Sequence, residues 1–197
     1  MFNENNFECE KYETFKPQKK QKKITKQRLK NIALYYLKRF ESSVENLRSV
    51  LQKRVFKYIK ENPDFDKFVA YQWIEEILTD LQKLHYLDDD RFAEIKIRSY
   101  LKSGKPARYI INKLREKGIK ENKVNDLLME QNYDPFNMAL KFVKKKKIGP
   151  YRIDDSLKNS MRQKDMATLV RAGFDYDIAC KVIEYQITDD DMDDDLL

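Results

Sequence analysis

The chain has 197 residues, 41% of them hydrophobic and 37% charged, with a formal net charge of +7. Four glycines and five prolines are too few turn formers for a many-stranded sheet protein, so an all-α fold is expected. The longest strongly apolar uncharged stretch, Asn31 to Leu37, falls far short of the roughly 20 residues a spanning helix needs, and no integral membrane protein is expected.

Residues 1–23 lack apolar periodicity and end in KPQKKQKK, the pattern of a flexible basic arm. Helical patterning begins near Thr25, with Ile32, Leu34, Tyr35, Leu37 and Phe40 marking a first helix. Val44, Leu47, Val50 and Leu51 mark a second. After the break at Asn62, Pro63 and Asp64, a third carries the stripe Trp73, Ile74, Ile77, Leu78, Leu81 and Leu84 up to His85. In YLDDDRFAE, Asp88 is placed to cap a fourth helix, Asp89 and Asp90 to oppose its positive end, and Leu87 to staple onto Phe92. The fourth helix should run to Gly104, and Pro106 should open a fifth that Gly118 ends. Val124, Leu127 and Leu128 predict a short sixth, Phe136 to Lys147 a seventh, a longer eighth reaches Ala172, and Asp175 begins a ninth.

Nine helices fall into three groups of three, because ENLRSVLQKRVF (45–56), RYIINKLREKGI (108–119) and QKDMATLVRAGF (163–174) align without gaps. Leu51, Leu114 and Leu169 coincide, as do Gly118 and Gly173, where the first copy has Val55. Three-helix units that cannot bury an apolar face alone would stack into an elongated, curved array. The expected organisation is the arm, repeats over 24–87, 88–133 and 134–187, and an acidic disordered tail over 188–197.

Charge alternates along this frame. Residues 16–60 hold 15 basic against 2 acidic side chains, 101–120 hold 7 against 1, and 141–164 hold 9 against 2. The segments between and after them are acidic, ending in the aspartates from Asp189 to Asp195. One lysine run is most simply a solvated helix face, but three on equivalent elements would line one surface as a polyanion footprint. The acidic tail would compete for that face.

Catalytic machinery is not recognisable. The glycines are too far apart for a phosphate-cradling loop, and one histidine with two distant cysteines, Cys9 and Cys180, makes neither a usual zinc site nor a disulfide framework. No metal or cofactor is therefore expected. His85 reads as a helix-end residue, and Asp88 to Asp90 as a cap in preference to a cation site. The polar, acidic opening MFNENNFECEKYETF lacks the pattern of an export signal, which together with the cysteine usage points to the cytoplasm.

The stretch YLDDDRFAEIKIRSYLKSGKPARYIINKLREKGI resembles the central repeat of the RecX regulatory proteins, bacterial modulators of the recombinase RecA. YYLKRFESSVENLRSVLQKRV resembles the first repeat, and KKKKIGPYR with RQKDMATLVRAGFDYDIACKVI the third, with a leaning toward the alphaproteobacterial branch. The resemblance covers roughly residues 28–185, with the motifs in order. It implies a non-enzymatic monomer, mainly an inhibitor, that lies in the groove of RecA filaments on single-stranded DNA. There it would limit filament extension, ATP hydrolysis, strand exchange and coprotease activity, with weak contact to double-stranded DNA. Two departures stand out: the first repeat lacks the Lys-Gly turn and carries extra residues around Tyr58 to Ala70, and the arm is unusually basic. The residues expected to contact phosphates or carboxylates are Arg48, Lys53, Arg54, Lys105, Arg108, Lys113, Arg115, Lys117, Lys145 and Lys147.

Two other classes compete on sequence alone. An independent helical DNA- or RNA-binding protein would insert a middle helix into a groove and read base edges. A nuclease would use carboxylates near Asp88 or Asp154 and degrade DNA only with a metal ion.

Overall fold

The computed structural model describes residues 23–187, and every regular element among them is helical. The arm up to residue 22 and the acidic tail lie outside the described residues. Helices α1 (Lys26–Leu37), α2 (Val44–Glu61) and α3 (Lys67–Lys83) make a first group. A second comprises α4 (Asp89–Lys102), α5 (Ala107–Arg115) and α6 (Glu121–Glu130). The third comprises α7 (Pro135–Lys146), α8 (Lys158–Ala172) and α9 (Tyr176–Ile183), with two short 3-10 turns between α7 and α8.

Local chemistry fixes where these helices begin and end. Thr25, Ser43, Asp66, Asp88 and Asp134 each accept a hydrogen bond from a first-turn N–H, satisfying a donor that the helix itself leaves open. The stop signal is equally uniform from α3 to α8. His85, Gly104, Gly118, Asn132, Lys147 and Gly173 all have positive φ, and the next N–H reaches the carbonyl five residues back. His85 is thus a helix-ending residue, as its position in the sequence suggests.

Each group buries its own core, and helix contacts are concentrated within groups. Leu51, Leu114 and Leu169, equivalent in the aligned repeats, are all at most 1% exposed. A buried leucine side chain contributes about 2 kcal/mol of transfer free energy, so these three anchor their cores. Ile119 and Phe174, just past the left-handed glycines, are buried as well.

Some expected core positions face outward. Leu34 and Tyr35 are exposed because Leu29, Ile32, Ala33 and Tyr36 form the inward stripe of α1, and Phe40 is exposed because it lies beyond the end of that helix. Leu84 falls just past the last turn of α3 and is exposed too. Leu87 packs into the first core while Phe92 belongs to the second, so the two are not a staple. Pro106 sits one place earlier than expected, as the N-cap of α5.

The repeats meet through one recurring joint. A Cβ on Gly118, at the end of α5, would lie 2.7 Å from the Glu45 Cβ at the start of α2. One on Gly173, at the end of α8, would lie 3.5 Å from the Arg108 Cβ at the start of α5. Glu45 and Arg108 hold the same place in the aligned repeats, so the middle helices α2, α5 and α8 follow one another head to tail. The first N–H of each receiving helix is also satisfied from beyond its own group or at its edge. Val44 donates to Asp89 Oδ1 at 2.8 Å, and Ala107 donates to the Tyr133 hydroxyl at 3.0 Å. Glu41 with Arg91, and Lys117 with Asn46, complete the first joint.

Candidate nucleic-acid interface

The head-to-tail middle helices carry most of the cations singled out in the sequence, but the structure divides these by what they touch. Lys53 and Arg54 on α2 and Arg108 on α5 are exposed and make no ion pair among the described residues. Arg115 is exposed, with one hydrogen bond to Asn112 Oδ1 at 3.1 Å. Lys105 is half-buried, its ammonium 5.0 Å from the centre of the Tyr109 ring. All five present positive charge that a phosphate could reach.

Other members of the set serve the fold. Arg48 grips Glu75 of α3 with a two-pronged bond, Nε to Oε1 at 2.7 Å and Nη2 to Oε2 at 3.0 Å, and also contacts Glu45. The Glu75 carboxylate is the main reason its guanidinium holds its proton more tightly than usual. Lys113 pairs with Glu116 at 2.9 Å, and that bond raises its pKa in the same way. Lys117 spans the first joint, donating to Asn46 Oδ1 at 2.7 Å.

Lys145 and Lys147 belong to a feature that no sequence stretch reveals. With Lys102, Ser103 and Gly104 from the end of α4, and Lys141 and Lys144 from α7, they line a cleft of about 420 Å³. Gly104, buried and with a left-handed φ of 68°, sits against α7, where a Cβ would make ordinary contact, 3.6 Å from the Lys141 Cβ. Lys141, Lys144 and Lys145 share one face of α7 at the three and four spacing, while Lys147 ends the helix in the left-handed conformation. Lysines in a last turn also complement the negative helix end, which stabilises their clustering before any ligand arrives.

The turn after Lys147 is fastened from inside. Asp165 of α8, 3% exposed, accepts from Gly149 N at 2.8 Å and from Arg152 Nη2 at 2.7 and 2.8 Å. A carboxylate placed so deep requires such partners, and together they fix the end of α7 against α8.

The three neighbouring aspartates are likewise occupied. Asp88 caps α4 through Arg91 N, Asp89 accepts from Val44 N, and Asp90 pairs with Lys123 at 3.2 Å. Among the described residues, no helix is long and apolar enough to cross a membrane.

Fold and surface together define a basic protein of tandem three-helix repeats whose cations follow the middle helices and gather in one inter-repeat cleft. Residues 88–128 match the family model described as RecX, second three-helix domain. The regulatory protein RecX of Myxococcus xanthus is 34% identical over 84% of this chain and 89% of that protein. The RecX of Agrobacterium fabrum is 30% identical over 78% and 80%. The chain belongs to the RecX family of regulatory proteins. Its fold matches the crystal structure of RecX from Lactobacillus salivarius with a TM-score of 0.57 at 23% identity, covering 81% of this chain and 94% of that one.

Proposed function

We propose that the chain is a non-enzymatic cytoplasmic modulator, mainly an inhibitor, of a RecA recombinase. It lies as a monomer in the groove of the RecA filament on single-stranded DNA, with repeats over 24–87, 88–133 and 134–187 following the groove. There it limits filament extension and, with it, ATP hydrolysis, strand exchange and coprotease activity. The observation that carries this reading is the end-to-end course of α2, α5 and α8, which strings Lys53, Arg54 and Arg108 along one direction and leads to the lysine cleft. A groove that exposes phosphates and acidic protein surface along a helical path calls for such spaced cations rather than one dense patch.

The test is DNA-dependent ATP hydrolysis by the cognate RecA on single-stranded DNA, with the protein added at rising substoichiometric ratios. A variant with Lys53, Arg54, Arg108, Lys145 and Lys147 changed to Glu leaves the internal partners of Arg48, Lys113 and Lys117 untouched. Inhibition by the unaltered chain that this folded variant loses is expected. No inhibition at any ratio, with tight binding to naked DNA retained, would instead identify an independent nucleic-acid-binding protein.

A further inference from the structure

Unlike α5 and α8, helix α2 does not stop at the position of the repeat glycine. Where Gly118 and Gly173 turn the chain with positive φ, Val55 stays helical and α2 continues to Glu61. The residue that follows therefore meets a different fate in each repeat. Ile119 and Phe174 fold back into their cores and are buried, whereas their counterpart Phe56 stays on the helix surface and is 57% exposed. The extension also places Lys57 and Lys60 beside it. Lys53, Phe56, Lys57 and Lys60 recur at the spacing of one helix face and span about 10 Å of its axis.

That face joins positive charge to an exposed ring and carries no acidic side chain. Of the two acidic residues of α2, Glu45 contacts Arg48 and Glu61 falls off the stripe. Lys53 and Lys57 make no ion pair among the described residues, and Lys60 holds its ammonium 5.0 Å from the centre of the Phe56 ring. A phosphate backbone alone calls for the lysines and gives no use to the ring. An unpaired base supplies the flat apolar surface that would cover it, whereas in a duplex the base faces are stacked on one another and out of reach.

We propose that Phe56 is a stacking platform for an unpaired base of single-stranded DNA, with Lys53, Lys57 and Lys60 on the adjoining phosphates. A cation over an exposed ring is held less strongly than a stacked base, so the base displaces the Lys60 ammonium, which turns to the backbone. Every base has a π face, so the contact tolerates any sequence. Single-stranded DNA as the partner is taken from the proposed function, and the ring contact is additional to it.

The full chain and its Phe56→Leu and Phe56→Trp variants are titrated at low salt with oligothymidylate, with a wholly abasic strand of the same length, and with duplex. Leucine removes the ring and keeps an apolar side chain at an exposed position, and far-UV circular dichroism checks the fold. Phe56→Leu should weaken binding to oligothymidylate by roughly 5- to 150-fold and leave binding to the abasic strand unchanged. Phe56→Trp should keep the affinity and add a quenching by oligothymidylate that Trp73 does not show in the unaltered chain. Changing Lys53, Lys57 and Lys60 to Gln should lower the slope of log affinity against log salt by about 2. Equal losses on both strands for Phe56→Leu, or no loss on either, would overturn the stacking. A larger loss on duplex would also overturn it, and would make Phe56 a wedge between paired bases. An unchanged salt slope would remove the lysines from the contact. No binding of oligothymidylate by the unaltered chain would sink the proposal and leave inhibition of RecA to its own assay. Ring-dependent binding by a chain that never inhibits RecA would leave the base contact standing and sink the recombinase reading.

Discussion

Replacing Asp165 by Asn preserves the side-chain shape and removes the charge that holds the turn after α7. The Asn carbonyl can still accept from Gly149 N, but Arg152, whose side chain is 19% exposed, then faces an amide and keeps a largely buried positive charge without its counterion. Removing one partner of a buried pair costs about 3 to 5 kcal/mol, and the residual exposure of Arg152 puts this case near the lower figure. For a chain of this size, 3 kcal/mol corresponds to a fall in Tm of about 6 to 12 °C. Thermal unfolding followed by far-UV circular dichroism or calorimetry measures it. Adding Arg152→Met to Asp165→Asn should recover most of the loss, since the stranded charge is then gone. A fall of less than about 2 °C for Asp165→Asn, or no recovery in the double variant, would refute the assignment of Asp165 as the fastening of that turn.

Two further perturbations probe the joints and the half-buried phenols. Gly118→Ala forces a side chain into a left-handed backbone and to 2.7 Å from the Glu45 Cβ, whereas Gly104→Ala meets nothing nearer than 3.6 Å. Both incur a backbone cost of roughly 1 to 2 kcal/mol, and urea unfolding should show the larger loss for Gly118→Ala. Equal losses would mean that the first joint yields freely. Burial raises the pKa of Tyr133 and Tyr100 above the ordinary 10.0, so at higher pH the unfolded chain loses these protons first. Stability is therefore full below pH 10 and declines as pH rises from there through the raised values, and Tyr100→Phe should flatten that decline in pH-dependent urea titrations.

Much of the fold is legible in the sequence because its punctuation is local. Asp88 as a cap, Gly118 and Gly173 as left-handed stops, and Leu51, Leu114 and Leu169 as core anchors all follow from neighbours within a turn or two. Leu34 and Tyr35 mislead because they fall between the inward positions of α1, and Phe40 because it continues the inward spacing of Ala33 and Tyr36 beyond the end of that helix. The interface is only half legible. That Arg48 is bound to Glu75 depends on how α2 packs on α3, and that Lys102 joins Lys145 and Lys147 depends on how two repeats abut. The Tyr133 hydroxyl on Ala107 N is equally invisible, since 26 residues separate them and nothing in either segment announces the bond. What the sequence does contain is the three and four spacing of Lys141, Lys144 and Lys145, which marks one face of α7 without saying what lies opposite.

The joint also sets the length of the assembly. Each contact needs a glycine turn on one side and a bare helix start on the other, and the chain offers neither at its two extremes. In the first repeat α2 has Val55 where the glycine would be and runs on to Glu61. In the third, α8 begins at Lys158, five residues ahead of Gln163, the counterpart of Glu45 and Arg108, so the helix itself occupies the place where a fourth repeat would seat. The repeat geometry that could in principle propagate from chain to chain is stopped at both ends by ordinary helix extension. Among the described residues, the contact that joins neighbouring repeats is confined to the two inner junctions.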